Sequence, residues 1–406
     1  MEKRLTIAVI GCGFFAKSFV SLFQLHPYVD KVFICDIIPE RVQAYHEELG
    51  TEIIESFEAA LANESINTIA IFTQRHTHGD LVIRALRAGK DVYSAVPMGI
   101  SVEECKAIID TVKQTDRIYM MGETCIYYPS SMYCREVYKS GTLGNFVYGE
   151  SQYFHDLSHF PETSLQDPAA CAVPPFYYPT HSTSMLLNAA DSYAVRVTAM
   201  GYADREENTP FAPGKKPWDN IYSGEFALVQ LANGGVGRIS ESRRIGYRAP
   251  SSYVSSFYGT QGSYQFNNAQ HLLVKLAGKG VTLEDVSDYV NPTEMTLHKA
   301  EPTFKQDVAN HAYQNQCFAP VQQEEVDKLP QVFREHMELS GHMASHQFLV
   351  HEFCSSVYEG RLPYVHAWRA ARFTIPGIMA HESVKQNGTP VDIPDFGDAP
   401  SEWPFR

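Results

Sequence analysis

Val9-Ile-Gly-Cys-Gly-Phe-Phe-Ala-Lys17 closes an apolar run that begins at Leu5 and opens a stretch of helical character reaching Gln24. Strand, glycine turn and helix in that order form a dinucleotide site. Gly11 permits the tight turn, Gly13 lets backbone approach a pyrophosphate, and Ala16 keeps the helix close to the strand. The free N–H groups and the dipole at that helix end both favour phosphate. A second strand ends in Asp36, about twenty residues after Ala16, the spacing expected for a carboxylate that accepts from both ribose hydroxyls. Because the same carboxylate repels a 2′-phosphate, the pattern predicts NAD over NADP.

The 406-residue chain is long enough for two domains. With 44% hydrophobic and 20% charged residues it belongs to the soluble globular class. A net charge of -14 argues against nucleic acid or an anionic membrane as partner. No apolar run approaches a membrane span. Met1-Glu-Lys-Arg leads directly into a strand, so no signal peptide is expected and the predicted location is cytoplasmic. The eight cysteines (12, 35, 105, 125, 134, 171, 317, 354) show no C-x-x-C pair and no zinc spacing, which predicts reduced, mostly buried thiols.

Strands are predicted at 5–10, 31–36, 68–73, 91–96 and 117–122, with helices at 14–25, 39–49, 78–88 and 102–114 between them. That alternation gives a parallel sheet, whose ligand lies beyond the carboxyl ends of the strands. The residues there are Gly11, Gly13, Phe14 and Phe15; Asp36 with Arg41; Thr73, Arg75, His76 and His78; Ala95 and Pro97; and Glu123. All are candidate cofactor contacts, and Glu123 stands where a nicotinamide ring would lie.

After Tyr128 the texture changes. A helix at about 130–139 precedes strands with period-2 alternation at 145–155, 192–201, 223–231, 236–243 and 252–258. Helices at about 340–358 and 368–384 follow. The predicted class is α/β: an N-terminal Rossmann domain over 1–126, and over 127–406 an α+β domain with an open, mostly antiparallel sheet.

Tyr178-Pro-Thr-His181 precedes a helical stretch over 182–190, and proline suits a first helical turn. Tyr178 and His181 then sit at a helix N-terminus, where the dipole disfavours imidazolium and favours phenolate. By spacing alone this reads either as a proton-transfer pair or as an ordinary helix start with an aromatic packed beside it. Alternation places Ser151, Tyr153 and His155 on one face of a strand, which lines a polar cleft or meets solvent. His342 and His346 stand four apart on a predicted helix, but no third ligand has a recognisable spacing. No metal is expected, and His346 reads as polar lining or as structural. Arg243 and Arg244 end a strand and either bind a substrate carboxylate or are, as such pairs more often are, solvated or paired with Glu241.

These residues together resemble the Gfo/Idh/MocA family of sugar oxidoreductases over nearly the whole chain. The carrying elements are 9–16, Asp36, Thr73-x-x-x-x-His78, Gly89-Lys90-Asp91-Val92 leading to Pro97, Tyr258-Gly-Thr-Gln-Gly-Ser263, Pro376-Gly-Ile, and Ala380-His-Glu-Ser383. The resemblance implies a Rossmann domain followed by a sheet domain that carries the substrate and often the oligomer contacts. Two departures stand out. The family's Glu-Lys-Pro, whose lysine helps move the hydroxyl proton, is here Ala95-Val96-Pro97, and the aspartate expected four residues before the helix histidine is Tyr177.

A branch that also lacks the lysine is the NAD-dependent glycosidases of glycoside hydrolase family 109. To these are similar Val96-Pro97, Ser101-Val-Glu-Glu-Cys105, Met120-Met-x-Glu123, Tyr153-x-His155-Asp156-Leu157, Tyr178-Pro-Thr-His181 and the segment from Ser345-His346 to Phe353. The resemblance implies bound NAD+ that takes a hydride from a sugar carbon, expected to be C3, and returns it after C2 deprotonation, elimination and water addition. It assigns Tyr178 and His181 to proton transfer, Tyr153 and Glu123 to positioning or relay, and Tyr128, His155 and His346 to the substrate. The expected partners are a small carbohydrate and further copies of the chain, as a dimer or larger. Competing expectations are a dehydrogenase that releases a 3-keto glycoside and a non-catalytic NAD-binding sensor.

Overall fold

The computed structural model describes residues 4–156, 172–206, 209, 211, 218, 220–245, 251–267, 270–309 and 317–402. Leu157 and Cys171 lie outside the described residues. The chain divides into two compact units. One comprises Met1–Thr124, Glu325–Ala371 and Phe396–Arg406; the other comprises Cys125–Glu324 and Arg372–Asp395. Along the chain the first division falls between Thr124 and Cys125. Glu325–Ala371, however, packs with the N-terminal unit, although a single second domain over 127–406 was expected.

The first unit holds six parallel strands: β1 (Leu5–Ile10), β2 (Val29–Cys35), β3 (Glu52–Ile53), β4 (Thr68–Ile71), β5 (Asp91–Ser94) and β6 (Tyr119–Met121). Their order is β3-β2-β1-β4-β5-β6, so the winding reverses between β1 and β4. The central strands are buried along almost their whole length, as strands covered on both faces must be. Helices α1 (Ala16–Leu25), α2 (Pro39–Leu49), α3 (Phe57–Ala62), α4 (His78–Arg87) and α5 (Val102–Thr115) make the crossovers. At two and six residues β3 and α3 are too short to show a period, and sequence reading passed over both.

Two of the family-like boxes prove to be structural. Ser101 caps α5 by accepting from Glu104 N–H, while Glu104 Oε2 accepts from Ile100 N–H. Lys90 Nζ donates to the carbonyls of Asn63 and Ile66, and Asp91 Oδ1 accepts from Ile118 N–H, which pins the start of β5.

Helix α6 (Pro129–Lys139) and α7 (Thr180–Ala189) lie in the second unit, and α8 (Ser345–Glu359) belongs to the first. On α8, His346 and Phe353 pack against Phe19 and Phe23 of α1. The helix starts at Ser345, later than predicted, because His342, Met343 and Ala344 all take left-handed backbone angles (φ 49°, 57° and 64°). His342 therefore precedes the helix and does not share a helical face with His346. Its Nδ1 lies 2.9 Å from His346 Nε2, so the two rings bond to each other.

A second histidine pair shows what this packing costs at low pH. His26 Nδ1 accepts from Tyr28 N–H, and its Nε2 lies 3.1 Å from His351 Nδ1. Burial, and secondarily His351, pull His26 from 6.5 down to about 3. Its neutral form is thus built into the fold. Stability from this site is complete above about pH 6.5 and declines as pH falls toward 3, because only the unfolded chain takes up the proton. His26→Gln should flatten the fall in urea midpoint on acidification; a slope equal to wild type would contradict this.

The second unit carries a nine-stranded sheet of β7 (Phe146–Phe154), β8 (Ala194–Ala203), β9 (Tyr222–Leu231), β10 (Val236–Ser242), β11 (Ser251–Gly259), β12 (Gly262–Asn267), β13 (Gln270–Ala277), β14 (Gly280–Asp285) and β15 (Val391–Asp392). The order is β14-β13-β12-β11-β7-β10-β9-β8-β15. Among the described strands only β7 and β10 pair in parallel, so the sheet is mostly antiparallel as predicted. Strands β12 to β14 escaped the sequence reading, although Val281 and Leu283 alternate on the exposed β14. Helices α6 and α7 pack on β7 and β11. Every residue of α7 is buried. Helix α9 (Ala367–Lys385) runs through the boundary at Ala371. Among the described residues no helix is long and apolar enough to cross a membrane. The described cysteines are free, and all but the half-buried Cys317 are buried.

Candidate active site

In the first unit the turn after β1 is shaped by contacts that only glycine allows. Gly11 has φ +102°, and a Cβ there would stand 2.6 Å from the Phe72 carbonyl oxygen at the end of β4. A Cβ at Gly13 would meet nothing within 4 Å, so that position opens onto space a ligand can use. Asp36 closes the other side. Its Oδ2 accepts from Cys12 N–H at 2.6 Å and its Oδ1 from Ile38 N–H at 2.9 Å, which fixes a half-buried carboxylate beside the turn. Tyr45 Oη donates to the Gly13 carbonyl at 2.6 Å and ties α2 to the same loop. Burial, with Asp36 second, pushes the Cys12 thiol up to about 12, so it stays an uncharged thiol here. Phe14 and Ile37 are 99% and 97% exposed. Apolar surface so placed on both flanks of Asp36 and the turn suits the flat face of a base or ring. Helix α1 begins at Ala16, two residues later than predicted.

The remaining strand-end candidates divide. Thr73 and Arg75 are half-buried at the end of β4, Thr73 Oγ1 lying 2.7 Å from Thr77 Oγ1. His76 is half-buried beside them, and Arg41 is exposed on α2. Ala95 and Pro97 are buried after β5, and Glu123 is fully buried after β6. His78 differs from its expected role. It is buried with Nδ1 2.7 Å from the Pro97 carbonyl and Nε2 3.1 Å from the Thr73 carbonyl, and so braces the two loops instead of reaching a ligand. The expectation for His346 is likewise corrected. Buried in the first unit, it uses Nδ1 on Ser18 Oγ (3.0 Å) and Nε2 on His342, leaving neither nitrogen for a sugar hydroxyl.

In the second unit four predicted residues converge. Tyr178 precedes α7, and His181 is the second residue of that helix. The two rings meet edge to face with centroids 5.1 Å apart. Tyr153, on β7, lies 4.6 Å from the His181 ring and 5.9 Å from Tyr178. Its hydroxyl is 2.8 Å from His155 Nδ1. Burial, then the neighbouring Tyr178, pushes the Tyr153 phenol far above its ordinary range, so it serves as a hydrogen-bond donor. Tyr128 is buried at the N-cap of α6.

The supports of this cluster were not legible in the sequence. Glu225, fully buried on β9, accepts from Phe176 N–H through Oε2 (2.7 Å) and meets His381 Nδ1 through Oε1 (2.6 Å). The turn before Tyr178 is therefore held from both β9 and α9. Gly377 allows α9 to come close, since a Cβ there would stand 2.1 Å from Pro179 Cβ. The Pro376-Gly-Ile and Ala380-His-Glu-Ser383 boxes thus act by placing Tyr178. Glu241 accepts from Ser182 Oγ at 2.6 Å and fastens the first turn of α7 to β10. Glu225→Gln should keep the carbonyl acceptor yet weaken both contacts, lowering kcat about tenfold while KM changes little. Unchanged kcat would show that the turn is held without it.

Arg243 and Arg244 do not stand free. Arg244 Nε is 3.2 Å from Asp204 Oδ2, and its guanidinium also meets Glu206. Arg243 is buried with Nη2 3.5 Å from Glu241 Oε2, the pairing that was one of the two sequence readings.

With this geometry in view, comparison with known proteins is informative. Residues 5–123 match the family described as "Oxidoreductase family, NAD-binding Rossmann fold". Residues 5–123 thus form an NAD-binding Rossmann domain, as the glycine turn and Asp36 predicted. Along 99% of its length the chain is 25% identical to a "Glycosyl hydrolase family 109 protein" of Streptomyces niveus, covering 79% of that protein. A scyllo-inositol 2-dehydrogenase (NAD(+)) of Bacillus subtilis (strain 168) is 24% identical over 71% of this chain and 82% of its own. Among solved structures, a levoglucosan dehydrogenase in complex with NADH and levoglucosan superposes with a TM-score of 0.73. It covers 97% of this chain and all of that one, at 18% identity, and so speaks for the fold alone.

Proposed function

We propose that this protein is an NAD-dependent enzyme acting on a carbohydrate, and that its net reaction is glycoside hydrolysis through a transient 3-keto sugar. One observation carries this reading: the Tyr153–His155–Tyr178–His181 cluster stands in the unit that would hold the sugar, while Ala95-Val96-Pro97 lacks the lysine of ordinary alcohol oxidation. The turn at Gly11 and Gly13, with Asp36 fixed beside it, fits the dinucleotide: room at Gly13 for pyrophosphate and a carboxylate for the ribose. When bound, NAD+ supplies the hydride acceptor for C3 and the donor that restores it.

The proton work falls to the chain. His181, in the first turn of α7, exchanges the C3 hydroxyl proton. Tyr178 removes the C2 proton that a neighbouring ketone acidifies, and the aglycone then leaves. Tyr153, kept a phenol by burial, donates a hydrogen bond, and His155 orients it. Glu123 helps position the reacting groups. Water adds at C1 and a proton returns to C2, so the cycle consumes no cofactor.

The test is a panel of aryl glycosides and thioglycosides without added cofactor, followed by NMR in heavy water. Sugar release with deuterium at C2 is expected; no release from any member defeats the reading. Similarity to the inositol dehydrogenase supports a second reading, a dehydrogenase that releases the 3-keto sugar. It predicts accumulation of NADH and dependence on added NAD+.

We also infer self-association through the open sheet face. Met200 and Leu228 there are 64% and 48% exposed, on adjacent paired strands. The double change Met200→Glu with Leu228→Glu should shift sedimentation to the monomer, whereas an unchanged sedimentation coefficient would place any interface elsewhere.

A further inference from the structure

Arg243 lies at the end of β10, only 8% exposed, in a place for which no role has been assigned. Its guanidinium carbon sits 5.1 Å from the ring centroid of Tyr153 and 5.6 Å from that of Tyr178, over both phenols at once. The ion pair with Glu241 engages Nη2 at 3.5 Å, the long end of a hydrogen bond. Among the described residues Nη1 is buried without an acceptor. A buried guanidinium seldom leaves a donor idle, because an unmet charged donor costs free energy. Here the positive charge is spent on the two rings and on what their oxygens become.

We propose that Arg243 is a further functional residue, supplying the positive charge that lets Tyr178 surrender its proton while Tyr153 remains a phenol. The two tyrosines share the cation and the His181 ring but differ in burial and in what meets Tyr153 from His155 and β10. Tyr153 is fully buried on β7, its hydroxyl is occupied by His155, and Glu241 is its direct partner across the β7–β10 ladder. A carboxylate at that position opposes a second negative charge, and Cys125 adds to the opposition if ionised. Tyr178 is half-buried and faces Arg243, the His181 ring and Tyr153. The first of these is a fixed cation. The α7 dipole adds positive potential where Tyr178 enters the helix. Glu241 is held through its other oxygen by Ser182 and so anchors Arg243. The charge pattern therefore sorts two like residues into a base and a donor.

The inference rests on Tyr178 as the base of the proposed reaction, but its readout needs no substrate. Near-ultraviolet tyrosinate absorbance is followed against pH in the purified full-length protein. Wild type should show one tyrosine ionising ahead of the others, and Tyr178→Phe should remove that step. The paired change Arg243→Met with Glu241→Gln, which leaves no lone buried charge, should raise its midpoint by about one pH unit or more. Arg243→Lys retains a cation and should hold the midpoint close to wild type, which also controls for the fold. The proposal is overturned if wild type has no early step, if the step survives Tyr178→Phe, or if the uncharged pair leaves its midpoint in place. Should this titration behave as stated while the glycoside panel gives no product, the assignment of Arg243 stands and only the net reaction is wrong.

Discussion

Tyr178→Phe is expected to reduce turnover by about 10³-fold while NAD+ affinity stays at the wild-type value. The substitution removes one oxygen and leaves the ring, so edge-to-face packing with His181 and the contact with Tyr153 persist. Nothing in the glycine turn is touched. The loss should fall on kcat, because in the proposed reaction the phenol oxygen acts in proton removal and contributes little to holding the sugar. Deuterium exchange at C2 of a bound 3-keto sugar should fall in parallel, since it reports the same proton transfer without cleavage. If exchange persists at the wild-type rate, another group is the base and Tyr178 only packs. A change in KM alone would mean the same.

The second large effect is expected at the turn, where two glycines should fail in different ways. Gly11→Ala forces a side chain into φ +102° with its Cβ 2.6 Å from the Phe72 carbonyl oxygen and 3.1 Å from Thr73 N. Both opposing atoms are backbone at the end of β4, so neither can swing aside. The strain at such a backbone angle is about 1–3 kcal/mol before the clash is counted. Unfolding of the first unit should therefore come at clearly lower denaturant, with NAD+ binding reduced at least tenfold. Gly13→Ala meets no atom within 4 Å and no positive φ. It should leave stability within about 0.5 kcal/mol of wild type, as substitutions away from close contacts do. Its added methyl would stand where pyrophosphate approaches, so NAD+ affinity should still drop. Calorimetry with and without NAD+ separates the two. Equal stability losses at both positions would mean that Gly13 serves the fold and that phosphate approaches elsewhere.

These pairs show how unevenly the site was legible. The turn at Gly11, the acid at Asp36 and the pairing of Tyr178 with His181 all rest on local order. A strand, a turn and a helix in sequence dictate where backbone N–H groups point, and proline dictates where a helix begins. Period-2 alternation likewise put Tyr153 and His155 on one strand face, and they are hydrogen-bonded. His346 and His78 were misjudged for the opposite reason. A histidine looks alike in sequence whether it meets a ligand or two carbonyls, and only the packing of α8 on α1, or of the 73 and 97 loops, decides which. Three left-handed residues before α8 broke the helical spacing on which a shared face for His342 and His346 depended.

The amino-acid order alone determined the α/β class, the parallel first sheet with its NAD site, the mostly antiparallel second sheet and the absence of the usual lysine. Each is a property of neighbours in the chain, governed by period, turn chemistry and residue identity. What the tertiary structure decided involves residues far apart in sequence. Glu325–Ala371 joins the first unit because α8 buries its apolar face against α1. Glu225 and His381, 156 positions apart, hold the turn before Tyr178. Arg243 stands over two phenols that come from different elements. Such placements depend on strand register and close packing, which emerge only when distant segments exclude water from one another.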